Sequence, residues 1–126
     1  MLLEYLIFGV GSGLGGMFRY FLATDPVLGF VHTGLPYDTM VVNAIGSFVA
    51  GCTASFSTRA IAQETRSFLI GFAGGVTTYS AFSLDAVQLV QHAHALGAVA
   101  YAGVSVTVYV LAAAAGFVAA DYLEAA

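Results

Sequence analysis

Lysine and tryptophan are missing from the 126 residues, and three arginines, Arg19, Arg59 and Arg66, carry all the fixed positive charge. Without a basic stripe or patch the chain has no footprint for a phosphate backbone, so a nucleic-acid partner is excluded. Cys52 is the single cysteine, so no intrachain disulfide can form; it lies in an apolar stretch and reads as a packing residue. Charged residues make up 8% of the chain, against about a quarter in soluble domains, and this shortage excludes a water-soluble globule. A cleaved leader is not expected either. The first residues lack a basic region, Glu4 stands where a positive charge belongs, and no clear cleavage site follows. Leu2 onward reads as a retained first span.

Apolar residues, by contrast, make up 60% of the chain, mean hydropathy is +0.90, and there are 15 glycines. A helix of about 20 residues crosses a hydrocarbon core of about 30 Å. Four stretches qualify, at about 2–23, 39–58, 66–91 and 96–120. The expected fold is an all-α membrane protein of four transmembrane helices in one domain, 1–126, multi-pass in the cell membrane. The longest connection holds both prolines, Pro26 and Pro36, with Asp25, Gly29, Gly34 and Asp38. Arg59 and Arg66 fall on the side of the termini and Arg19 toward the other. So weak a Lys/Arg bias sets no firm orientation. Insertion both ways up is expected, and an antiparallel two-fold dimer is the simplest closed assembly.

The run Gly71–Ser83 departs most from an ordinary membrane helix, with Gly71, Gly74, Gly75, Thr77, Thr78, Ser80 and Ser83 inside thirteen residues. Glycine costs a helix about 1 kcal/mol against alanine, so the third helix is expected to break near its middle, around Gly74–Thr78. Irregular backbone at membrane depth belongs against protein or a wet cavity, where its carbonyls can hold a cation. Past the break Tyr79 and Phe82 share a face, and an aromatic edge carries partial positive charge that an anion can approach. Asn43 and Ser47 stand one turn apart on the second span; Asn43 offers two amide N–H donors and by itself reads as an interhelical hydrogen bond. Tyr101, Ser105 and Tyr109 recur every fourth residue of the last span. Arg19, near the end of the first span, reads equally as an interfacial anchor and as an attractor of anions in a vestibule. Asp85 is the one carboxylate well inside a span, the group a proton-coupled transporter needs. His92 and His94 read as solvated loop residues. Gly11–Gly16 fits GxGxxG, but no strand precedes it, so the dinucleotide reading fails. The same residues give GxxxG pairs, Gly9/Gly13 and Gly11/Gly15, which bring helix backbones together.

In Gly15-Gly16-Met17-Phe18-Arg19-Tyr20, Val42-Asn43-Ala44-Ile45-Gly46-Ser47-Phe48, Gly71 to Ser83, and Tyr101 with Ser105, the chain resembles the small fluoride channels called Fluc or CrcB. The resemblance runs in order through essentially the whole chain. It implies a dual-topology antiparallel homodimer with two pores at the interface. It also implies a central structural sodium ion on the backbone carbonyls of Gly74 and Thr77. The fluoride pathway it implies takes in Asn43, Tyr79, Ser80, Phe82, Tyr101 and Ser105, extended by Tyr109, with Arg19 in the vestibule. Tyr79 stands where the family usually has Phe, Ala81 where Thr is common, and Asp85 where Glu is more usual. The expected function is passive, fluoride-selective efflux that lowers cytoplasmic fluoride, with no enzymatic step. The alternative is a small dual-topology proton-coupled exporter working through Asp85.

Overall fold

The computed structural model describes residues 1–24, 36–57, 59–92 and 94–126. The connection carrying Asp25, Pro26, Gly29 and Gly34 lies outside the described residues. Five helices are present: α1 (Leu2–Thr24), α2 (Tyr37–Ser55), α3 (Gln63–Val76), α4 (Tyr79–Gln91) and α5 (Ala95–Ala125). No strand occurs among the described residues. α3 and α4 are the two halves of one rod, so the helices form four rods with the third interrupted.

Three rods, α1, α3 with α4, and α5, are long and apolar enough to cross a membrane. Their large side chains, among them Leu3, Leu6 and Val10 on α1 and Val99, Val106 and Val110 on α5, are exposed, as lipid-facing residues are. α2 has the length, at 19 residues, but Asp38, Thr39, Asn43, Ser47 and Thr53 lower its hydropathy below that of the others. Thr39, Asn43 and Thr53 are buried against neighbouring helices, which keeps these polar groups out of lipid. The chain is a multi-pass membrane protein.

Lipid tails are as apolar as leucine, so these helices gain by close backbone packing rather than by apolar burial. α1 lies along α3, and α2 along α5. Gly11 and Gly15 sit against the carbonyls of Phe68 and Phe72, while Gly71 and Gly75 sit against those of Phe8 and Ser12; a Cβ at any of the four would collide with backbone. Of the two GxxxG pairs in α1, Gly11/Gly15 therefore makes this crossing, whereas Gly9 and Gly13 face open space. Gly51 and Gly116 do the same work between α2 and α5, against the carbonyls of Ala113 and Phe48. α2 also touches α3, and α4 leans on α5, so the broken rod, packed on α1 through α3, also links that pair to the α2/α5 pair.

The C-terminal end of α2 is tied down by charge. Arg66 donates from Nη1 to the Thr53 carbonyl at 2.8 Å and from Nη2 to the Phe56 carbonyl, satisfying groups that a helix end leaves without partners. Ser55 donates to Asp121, and the Ser57 N–H donates to Glu124 at 2.9 Å, fastening the same end to α5.

Candidate functional site

The site begins where the third rod breaks. α3 stays helical through Gly74, Gly75 and Val76, and the extended residues are Thr77 (ψ 152°) and Thr78 (ψ 114°). The break thus falls at the end of the expected Gly74–Thr78 interval, not at the double glycine. The reason is packing: Gly75 is held flat against the Ser12 carbonyl, so this glycine serves helix contact and stays in the helix.

Asn43 holds the break open from α2. Its Oδ1 accepts the Thr78 N–H at 2.7 Å, and its Nδ2 donates to the Thr78 carbonyl at 3.1 Å. One side-chain amide thus replaces both backbone bonds of Thr78. The Thr78 hydroxyl then caps α4, accepting the Ala81 N–H at 3.1 Å, the role serine and threonine commonly take at a helix start. Ser80 Oγ lies 3.1 Å from that hydroxyl.

These substitutions free particular carbonyls. In an unbroken helix the Thr78 N–H would bond the Gly74 carbonyl, and the Ala81 N–H would bond that of Thr77. Both N–H groups are engaged elsewhere, so both carbonyls leave the ladder. The Thr77 hydroxyl lies 3.0 Å from the Ala73 carbonyl and 3.4 Å from that of Gly74. The Gly75 carbonyl receives Arg19 Nε at 3.4 Å. Arg19 therefore reaches inward to the break, where it lines a small cavity of about 70 Å³ with Asp38, Thr39 and Thr78.

On the other side of Asn43 lies an open cavity of about 310 Å³, bordered by Asn43, Ser47, Thr77, Tyr79, Phe82 and Tyr109. Phe82 is its centrepiece. Its ring lies 5.9 Å from that of Tyr79, 5.6 Å from that of Tyr101 and 6.2 Å from that of Tyr109 between centroids, the last edge-on at 74°. Asn43 Nδ2 also donates to the Tyr109 hydroxyl at 3.3 Å.

The structure thus brings Asn43, Tyr79, Phe82 and Tyr109 together around one cavity. Tyr101 contributes its ring to the aromatic cluster, but its hydroxyl turns away and donates to Asp85 Oδ2 at 3.2 Å. Ser105 is fully buried on the same face of α5, and its hydroxyl has no hydrogen-bond partner among the described residues. Ser80 stays at the cap of α4, off the cavity wall. Thr78, expected only as part of the Gly74–Thr78 break, is the residue that Asn43 clamps and that caps α4. Its signal was a threonine followed by Tyr79-Ser80-Ala81 at the start of an apolar segment, a capping position within the expected break.

A family model described as CrcB-like protein, Camphor Resistance (CrcB), matches residues 6–117. The chain belongs to the CrcB-like family. Proteins called "Fluoride-specific ion channel FluC" are similar to it over most of their length. The one from Rhizobium meliloti (strain 1021) is 40% identical over 114 residues, covering 88% of this chain and 90% of the relative. That from Rhodopseudomonas palustris (strain BisB5) is 41% identical over 121 residues, 93% of each. One from Thermus thermophilus is 39% identical over 101 residues, 79% of this chain and 80% of the relative. The CrcB-like match reaches into all five helices and covers both sides of the break.

Proposed function

We propose that this CrcB-like chain is a fluoride-selective channel that lets fluoride leave the cell passively and so lowers cytoplasmic fluoride. The observation that carries the reading is the cavity beside the break, where aromatic rings and neutral polar side chains converge without a lysine or an arginine on its wall. Fluoride is small and strongly hydrated, so a selective path must replace its water with close donors. Hydrogen bonds to a charged group are worth about 1.5–3 kcal/mol each. A series of such neutral contacts compensates dehydration without trapping the ion, which conduction requires. Asn43, Tyr79, Phe82 and Tyr109 form that series, with Ser80, Tyr101 and Ser105 extending it and Arg19 drawing anions toward it.

Two copies in antiparallel orientation complete the pores. The cavity is open on one side and Tyr79 is 81% exposed, features a second copy would cover. The freed carbonyls of Gly74 and Thr77 fit a sodium ion, since hard cations take oxygen ligands and broken membrane helices supply them. One chain offers two such carbonyls, and two chains offer four. The ion would tie the copies together and make the neighbourhood favourable to anions.

The deciding experiment is release from proteoliposomes. Fluoride is expected to leave down its gradient far faster than chloride. No fluoride release, or chloride release at a similar rate, would overturn the reading. Reporter fusions at the C-terminus are expected to show both orientations. Asp85→Asn separates channel from exporter: a proton-coupled exporter is abolished by it, whereas a passive channel continues to release fluoride without an imposed proton gradient.

A further inference from the structure

The hydrogen-bonding capacity of Asn43 is nearly exhausted within the chain. A side-chain amide has two N–H donors and two acceptor positions on its oxygen. Nδ2 has two partners, the Thr78 carbonyl at 3.1 Å and the Tyr109 hydroxyl at 3.3 Å. Oδ1 accepts from the Thr78 N–H at 2.7 Å. What remains is one lone pair, and a lone pair repels an anion. Asn43 is also buried, at 5% exposure, and freeing an N–H would break either the clamp on Thr78 or the bond to Tyr109.

Tyr109 stands in the opposite position. Its hydroxyl accepts from Asn43, which leaves its own proton to give, and no acceptor for that proton occurs among the described residues. Accepting a hydrogen bond polarises the O–H and makes it a better donor. Tyr109 borders the cavity, and its ring stands edge-on to Phe82 at 74°. An O–H donor and the aromatic cluster therefore face the same space. Hydrogen bonds from O–H to an anionic oxygen are among the shortest and strongest in proteins. A small, hard anion exploits such a donor more fully than a large, diffuse one.

We infer that Asn43 is a positioning residue that fixes the helix break and orients Tyr109, and that the Tyr109 hydroxyl is the specificity-determining donor that meets the anion. The inference rests on the fluoride reading above and refines it: within the series named there, Asn43 acts through Tyr109 and the break rather than as a donor to the anion.

The test uses the full-length protein in proteoliposomes, with the wild type measured first. Fluoride release by the wild type establishes the channel reading; its absence sinks that reading, and the present inference with it. Given a conducting wild type, Tyr109→Phe keeps the ring and removes only the O–H. Fluoride release is expected to fall roughly tenfold or more, the loss of one hydrogen bond to a charged group, and the preference over chloride is expected to narrow. Amide exchange at Thr78 separates clamp from donor: protection survives in Tyr109→Phe and is lost in Asn43→Ala. A second measurement requires no variant. With site-specific ¹³Cζ labelling of Tyr109 in the wild type, titration with sodium fluoride is expected to shift its resonance, and sodium chloride at equal concentration is not. Wild-type flux and selectivity in Tyr109→Phe, or a Tyr109 resonance that ignores fluoride, would overturn the inference.

Discussion

The broken rod is gripped from two sides by unlike means. From α1 the grip is backbone on backbone: Gly11 and Gly15 lie against the carbonyls of Phe68 and Phe72, and Gly71 and Gly75 against those of Phe8 and Ser12, with the Arg19 side chain reaching the Gly75 carbonyl beyond them. From α2 the grip is a single polar side chain, Asn43, on a single residue, Thr78. The first holds α3 straight as far as Val76. The second takes over where the helix stops. The contrast shows how a membrane helix can be broken cheaply: the disruption is confined to two residues because everything before them is locked, and the N–H and carbonyl of Thr78 are answered at once by one amide.

The largest effect is expected from removing the polar grip. Asn43→Ala leaves the Thr78 N–H and carbonyl without partners at membrane depth, at about 1–3 kcal/mol for each orphaned group. It also releases the Tyr109 hydroxyl from its orienting donor. Fluoride release from proteoliposomes is expected to vanish, with thermal stability in detergent clearly lowered. Fluoride flux near that of the wild type would show that the break holds without Asn43 and would erase the contrast drawn above.

Next comes the backbone grip, which has a built-in control. Gly15→Ala drives a Cβ into the Phe72 carbonyl, whereas Gly13→Ala meets open space. Overpacking of this kind costs about 1–3 kcal/mol. The neighbouring substitution is expected to be neutral or stabilising by up to about 1 kcal/mol from helix propensity. Melting of the two variants in the same detergent checks the difference. Equal stability would mean that α1 and α3 are not held by Gly15. Equal loss would mean that Gly13 also meets a neighbour, as a second copy of the chain would provide.

The same contrast explains what could be read from sequence. The rods were legible because apolar runs of spanning length are physically constrained; the expected 2–23 and the observed Leu2–Thr24 differ by one residue. Which glycines serve which purpose was not. Gly9/Gly13 and Gly11/Gly15 have identical spacing, and only the rotation of α1 against α3 decides between them. The double glycine widened the expected break for a related reason: glycine's low helix propensity put Gly74 and Gly75 inside the Gly74–Thr78 interval, whereas close packing of Gly75 keeps both helical and leaves Thr77 and Thr78 as the break. Among the site residues, Asn43, Tyr79, Phe82 and Tyr109 converge on one cavity as their types suggested. The pairing of the Tyr101 hydroxyl with Asp85 was invisible, because it joins residues on different helices that no motif links. Thr78 was expected as part of the break, but its clamp by Asn43 could not be read, since that clamp grips backbone groups that any residue shares.

The smallest effect is expected at Thr78 itself, where the cap can be separated from the clamp. Thr78→Val keeps the β-branched shape and leaves the N–H and carbonyl that Asn43 holds. It removes the hydroxyl that accepts from Ala81, worth about 1 kcal/mol at a helix start. A modest drop in melting temperature follows. The released Ala81 N–H then has a natural new partner, the Thr77 carbonyl, one of the two oxygens proposed for sodium. Fluoride release by Thr78→Val is therefore expected to fall only a few-fold, but to need more sodium than the wild type when sodium is replaced by a large organic cation. Loss of melting temperature with an unchanged sodium requirement would confine Thr78 to capping and leave the Thr77 carbonyl without a part in cation binding. A raised requirement would tie the cap, the break and the cation into one device, held on one side by glycine and on the other by Asn43.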